Sequence, residues 1–313
     1  MEQPKSPHVS VMVDEVLDLF QIKQNGIYVD GTVGLGGHSA AILDKIQPGG
    51  LLIGVDRDKE SLEKAGERLK NFSTHTRLIH DNFKNLPSIL NRLAVRSVDG
   101  ILLDLGISSW QLLSPDRGFS FQSDFVLDMR MDRTQSRTAA DIINKTPETE
   151  LADIIYQYGE ERFSRRIAAA IVNDREIAPI TRCVQLAGII SRVIPVRGRW
   201  NIHPATRTFQ ALRIAVNEEL HGLEECLQEI AGFLQPHGRL IVIAFHSLED
   251  RIAKRAFRKL AGHCVCDAPP ELCQCSKLAT GKILTSRPIM PRTVETDINP
   301  RARSARLRAF EKA

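Results

Sequence analysis

Ile27-Tyr28-Val29-Asp30-Gly31-Thr32-Val33-Gly34-Leu35-Gly36-Gly37-His38 is the stretch whose reading decides the fold. A short apolar strand ends on an acid and enters a glycine-rich turn, and Ser39 to Ile46 then has the composition of a helix, closed by Pro48-Gly49-Gly50. Working outward, the same rhythm repeats. Leu51 to Asp56 reads as a second strand, Lys59 to about Lys70 as a charged helix, Arg77 to His80 as a third strand, and Val98 to Asp104 as a fourth. Continuous apolar strands alternating with helices predict a parallel sheet covered on both faces.

The rhythm stops at about Gln111. From there to Pro204 the periodicity is helical, over Thr149 to Tyr158, Glu160 to Arg175 and Arg182 to Val193. A helix is predicted from about Thr206 to Leu234, a fifth strand over Arg239 to His246, and a final antiparallel pair over Lys282 to Thr285 and Ala305 to Phe310. The predicted organisation is an α/β domain of residues 1–110 and 205–313 with a helical insertion at 111–204.

The 313 residues are 42% hydrophobic and 26% charged, ordinary globular composition that excludes general disorder. No apolar run approaches the ~20 residues of a membrane span, and the first residues lead into no signal-peptide segment, so a cytoplasmic protein without a membrane partner is expected. The net charge of +4 is unevenly placed: from Arg162 to Arg213 ten arginines face only Asp174 and Glu176. Arginine binds phosphate bidentately, so either a polyanion site or a solvated helix face is implied.

The glycine spacing Gly31-x-x-Gly34-x-Gly36-Gly37 departs from the G-x-G-x-x-G dinucleotide pattern, which argues against a nicotinamide-dependent dehydrogenase. Asp56, at the end of the second strand, is placed to accept from both ribose hydroxyls of an adenosine, or alternatively to cap the following helix. Both features fit an adenosyl cofactor without a pyrophosphate. Phe83 follows the third strand, where it packs either on adenine or in the core. Asp104 ends the fourth strand as a carboxylate after an apolar run, and needs a partner.

Thr206, Gln210, Arg213 and Asn217 form a polar stripe beside the apolar Phe209, Leu212, Val216 and Leu220, and together with His203 and Arg207 make either a nucleotide-facing wall or a solvated face. Cys264-Val-Cys266 and Cys273-Gln-Cys275 place four thiols in one short stretch, able either to surround a tetrahedral zinc or to remain reduced thiols; the usual zinc spacing is C-x-x-C.

Several runs resemble one family, the bacterial small-subunit ribosomal RNA cytosine-N4 methyltransferases: Asp30 to His38, Gly100 to Ser109, Arg117-Gly-Phe-Ser-Phe121, Leu127-Asp-Met-Arg-Met-Asp132, Tyr158-Gly-Glu-Glu-Arg162, His203 to Gln210, Phe245-His-Ser-Leu-Glu-Asp-Arg251 and Asn299 to Ser304. The resemblance runs from His8 to the C-terminus. It implies a class I methyltransferase sheet with an inserted helical domain, S-adenosyl-L-methionine as cofactor, and 16S rRNA in the small ribosomal subunit, rather than DNA, as partner. Carried onto matching positions, it implies cofactor contacts at Gly36, Gly37, His38, Asp56, Phe83, Asp104 and Gln111. Asp104 either accepts a hydrogen bond from the target amine, as the catalytic group, or holds the cofactor. His246, after the fifth strand, reads as a positioning donor. A rival of another class is an RNA-binding assembly factor that keeps this fold without catalysis.

Overall fold

The computed structural model describes residues 10–122, 124–194, 203–266, 272–273 and 277–313. Cys275, Arg197 and Arg199 lie outside the described residues. The chain divides into two compact units, one of residues 1–106 and 222–313, the other of residues 107–221.

In the first unit, α1 (Val13–Phe20) precedes β1 (Ile27–Asp30), α2 (Gly37–Ile46), β2 (Leu51–Asp56), α3 (Lys59–Arg68), β3 (Thr76–His80), α4 (Leu86–Arg92) and β4 (Val98–Asp104). The second unit holds α5 (Ser109–Leu113), α6 (Ala139–Lys145), α7 (Glu148–Gly159), α8 (Ser164–Ile177), α9 (Cys183–Val193) and α10 (Thr206–Asn217). The chain returns to the first unit with α11 (Leu223–Ala231), β5 (Leu234–Ala244), α12 (Ser247–Leu260), β6 (Gly281–Ile283), α13 (Thr293–Ile298) and β7 (Arg306–Lys312).

The seven strands take the order β3-β2-β1-β4-β5-β7-β6, parallel through β5, with β7 antiparallel to β5 and to β6. This is the class I methyltransferase sheet that the resemblance implies. The continuous apolar strands are explained by burial on two sides. Ile101 and Leu103 join Val29, Ile53 and Val242 on the face covered by α4, α11 and α12; Leu102 joins Leu52 and Ile241 on the face covered by α1 and α2. Each such fully buried aliphatic side chain contributes about 1.5–3 kcal/mol.

Three expectations differ from the structure. The helix predicted over 206–234 is broken: α10 stops at Asn217, Glu218 takes a left-handed conformation (φ 48°), and α11 starts after Gly222 (φ 66°). The fifth strand then begins at Leu234, earlier than Arg239. The domain boundary at 204/205 also moves. Phe209, Leu212 and Val216 of α10 are buried with Leu151, Ile155 and Ile167, so α10 belongs to the helical unit, which runs to His221.

Candidate active site

All strands from β3 to β5 run parallel, so the ends of β2, β1 and β4 place Asp56, Asp30 and Asp104 along one edge of the sheet. The chain winds outward in opposite directions on either side of the β1/β4 pair, the topological switch where open α/β sheets bind ligands.

The glycine-rich turn is shaped by close packing. A Cβ on Gly31 would lie 2.4 Å from Leu103 Cδ2, and Gly36, at φ +77°, precedes α2 in a conformation that suits glycine. A Cβ on Gly37 would lie 1.9 Å from Ser10 Oγ. The turn thus wraps so that the Gly34 amide donates to Asp56 Oδ2 at 2.7 Å, while the Asp58 amide donates to Oδ1 at 2.8 Å. Each Asp56 oxygen accepts one amide and retains a second lone pair. Burial pushes the Asp56 carboxyl up to about 6, against those two amide bonds. Asp56 does not cap α3; Asp58 does, accepting from the Glu60 amide at 3.1 Å.

His38, in the first turn of α2, is 5% exposed, and its Nε2 lies 3.5 Å from Asp104 Oδ2. Burial disfavours the imidazolium, but the contact with Asp104 and the charges of Asp104, Asp30 and Glu295 outweigh it and leave the His38 pKa raised. The Asp104 amide donates to Thr32 Oγ1 at 2.6 Å, which ties the end of β4 to the turn. Asp104 Oδ1 and His38 Nδ1 are buried without a hydrogen-bond partner among the described residues. An unmade bond at such an atom costs about 1–3 kcal/mol, so a ligand bringing polar groups to this pair fits the arrangement.

Asp30 was legible only as the end of a strand. It is 1% exposed, accepts from Ser39 Oγ at 2.6 Å and from the Thr32 amide at 3.2 Å, and burial pushes its pKa up. It holds the turn against α2. Phe83 is half-buried and packs against the apolar face that contains Leu86 and Leu103. Gln111 lies in the second unit, 4% exposed, where its Oε1 accepts from the Ser108 amide at 2.9 Å and closes a capping box on α5.

His246 is the N-cap of α12, its Nδ1 accepting from the Glu249 amide at 3.4 Å and its Nε2 3.2 Å from Glu249 Oε1. Glu249 in turn accepts from the Phe245 amide at 2.8 Å. His246 Nδ1 is thus engaged by its own helix, while Nε2 is buried beside the Glu249 carboxylate without a hydrogen bond among the described residues. Asp250 binds Arg308 through two bonds of 2.6 and 3.1 Å, joining α12 to β7.

The polar stripe of α10 is also turned inward within its unit. Asn217 donates to Met129 O at 2.7 Å and accepts from the Met131 amide at 2.8 Å, Arg213 pairs with Glu219 at 2.8 Å, Gln210 donates to Tyr158 O, and Arg207 donates to Glu160 O. Of the arginine excess, Arg175 donates to the Ile143 and Thr146 carbonyls, and Arg192 pairs with Asp174. Arg162, Arg165 and Arg166 are exposed at the start of α8, with Arg162 and Arg166 over the Phe163 ring at 5.1 and 5.7 Å.

The model of the MraW methylase family matches residues 5–313. The chain is 50% identical over 307 residues to a ribosomal RNA small subunit methyltransferase H from Geotalea uraniireducens, covering 97% of this chain and 98% of that protein. Proteins of the same name from Geobacter sulfurreducens and Pelobacter propionicus are 52% and 49% identical, again over 97% of this chain and 98% of theirs.

Proposed function

This chain belongs to the MraW methylase family and is an S-adenosylmethionine-dependent methyltransferase, and we propose that it methylates the exocyclic N4 of a cytosine in 16S rRNA of the small ribosomal subunit. The observation that carries the reading is near-full-length identity of about half to relatives named for that subunit. No helix among the described residues is long and apolar enough to cross a membrane, which fits a cytoplasmic ribosomal substrate.

Asp56 would hold the ribose through the second lone pair of each oxygen, beside the turn of Gly34, Gly36 and Gly37, and Phe83 would flank the adenine. S-adenosylmethionine, when bound, supplies a methyl group made electrophilic by its sulfonium. The N4 amine of cytosine is a weak nucleophile because its lone pair is delocalised into the ring. Asp104 Oδ1, buried and without a partner among the described residues, would accept from an N–H of that amine and so turn the nitrogen lone pair toward the methyl. His38, 3.5 Å from the other Asp104 oxygen, would hold the carboxylate in this orientation. The extra proton on the methylated amine leaves to water. Exposed Arg162, Arg165 and Arg166 supply cations for the RNA backbone.

The test is incubation of purified protein and methyl-labelled cofactor with unmodified small subunits, with large subunits as control. Label confined to 16S rRNA is expected; cofactor binding without incorporation would instead favour a non-catalytic assembly factor.

A further inference from the structure

The loop joining α12 to β6 carries a chemistry that the methyl transfer does not use. Its base is pinned: Ala261 and Ala279 form an antiparallel bridge, the Thr280 amide donates to Leu260 O at 2.8 Å, and the His263 amide donates to Arg258 O at 2.8 Å. Gly262, at φ +72°, turns the chain where a Cβ would lie 2.7 Å from Lys277 O. Leu272 and Leu278 are 70% and 75% exposed, and no described residue from 262 to 280 belongs to a buried apolar cluster.

What converges there is sulfur. Cys264 Sγ lies 3.4 Å from Cys266 Sγ and 3.4 Å from Cys273 Sγ, and Cys266 Sγ lies 3.6 Å from Cys273 Sγ. A disulfide needs about 2.05 Å and would pair two sulfurs, leaving the third out. Three nearly equal separations describe instead one face of a tetrahedron: Zn–S bonds of about 2.3 Å place thiolates about 3.8 Å apart. The C-x-C spacing of Cys264 and Cys266, shorter than the common C-x-x-C, still brings both sulfurs to the same side of the turn. Arg258 donates to Cys264 O at 3.1 Å and places a positive charge beside a group that would carry net negative charge once three thiolates surround a divalent ion.

We propose that Cys264, Cys266 and Cys273 bind one zinc ion that clips the α12–β6 loop closed, a structural metal remote in role from methyl transfer. Binding releases the thiol protons to solvent and involves no oxidation. A short segment whose described residues join no apolar cluster is where such an ion substitutes for packing. The remaining described cysteines are different in kind. Cys183 and Cys226 are buried singly, with thiols pushed up to about 12 by burial, which suits them to packing rather than metal binding.

The experiment uses the full chain, loaded with zinc sulfate, desalted and counted for metal by mass spectrometry. About one zinc per chain is expected, falling below about a tenth in the Cys264→Ser/Cys266→Ser/Cys273→Ser variant, whose cofactor affinity reports that it folds. Cobalt(II) loaded into the unsubstituted chain should give thiolate-to-metal charge transfer and strong tetrahedral bands, a readout that decides even if the variant does not fold. Zinc below about a tenth per chain after loading, equal zinc in the triple variant, a cobalt spectrum with only weak octahedral bands, or a disulfide between these cysteines without metal uptake would each overturn the proposal.

Discussion

The carboxylate of Asp104 has one oxygen 3.5 Å from His38 Nε2 and one oxygen buried without a partner among the described residues, and an Asp104→Asn change separates its two possible uses. Asn keeps the size and one acceptor but removes the charge. If Asp104 accepts from the target amine, the variant binds S-adenosylmethionine almost normally and loses single-turnover methylation by several orders of magnitude, because the loss lies in the transition state. Recovery of the full rate at saturating cofactor would assign Asp104 to cofactor binding instead.

Asp56 gives a pH signature. Its folded value of about 6 lies above the unfolded one, so its contribution to the stability of the cofactor-free chain is complete below pH ~4 and lost as pH rises through about 6. Ribose hydroxyls donate best to the ionised carboxylate, so cofactor affinity should run the opposite way, weakening about tenfold per pH unit below that value. Calorimetry from acid to neutral pH checks this. Asp56→Asn should flatten the profile and weaken binding by about 1.5–3 kcal/mol; a flat profile in the unsubstituted chain would remove Asp56 from the ribose site. Asp56 and Asp104 were legible because each is an acid ending an apolar strand. Asp30 has the same signature, but its bonds to Ser39 and Thr32 depend on how the turn folds back, which no spacing reveals.

At the scale of elements, the strands were legible because both faces of the sheet are covered, so each strand is an unbroken apolar run. The end of α10 was not, because Glu218 turns left-handed without glycine; Gly222 was the available signal. Signature motifs identified a family more readily than roles. The acids of Phe245 to Arg251 lock α12 in place, Glu249 onto the Phe245 amide and Asp250 onto Arg308. The fully buried Arg117 donates to the Arg130 and Met131 carbonyls. An Asp250→Ala change leaves Arg308, 6% exposed, without its carboxylate, and should cost about 3–5 kcal/mol in chemical denaturation. A cost under about 1 kcal/mol would show that water replaces the carboxylate at Arg308.

For the whole molecule, the decisive properties are polyanion binding and the chemistry of the product. Composition overstated the first, since several of the counted arginines make contacts within their own unit while Arg162, Arg165 and Arg166 face solvent. RNA affinity should fall linearly with salt on a log–log plot. Arg165→Glu/Arg166→Glu should flatten that slope by about 1–2 while leaving cofactor affinity unchanged; an unchanged slope would place the RNA elsewhere. The most direct measurement is of the modified nucleoside itself. Unmodified small subunits are treated with the protein and cofactor, their 16S rRNA is digested, and the nucleosides are separated by mass. A cytidine carrying one added methyl on N4, absent when cofactor or protein is omitted, is the predicted result. A methyl on carbon 5, on the ribose or on another base, or no methylated product from a chain that binds its cofactor, would contradict it.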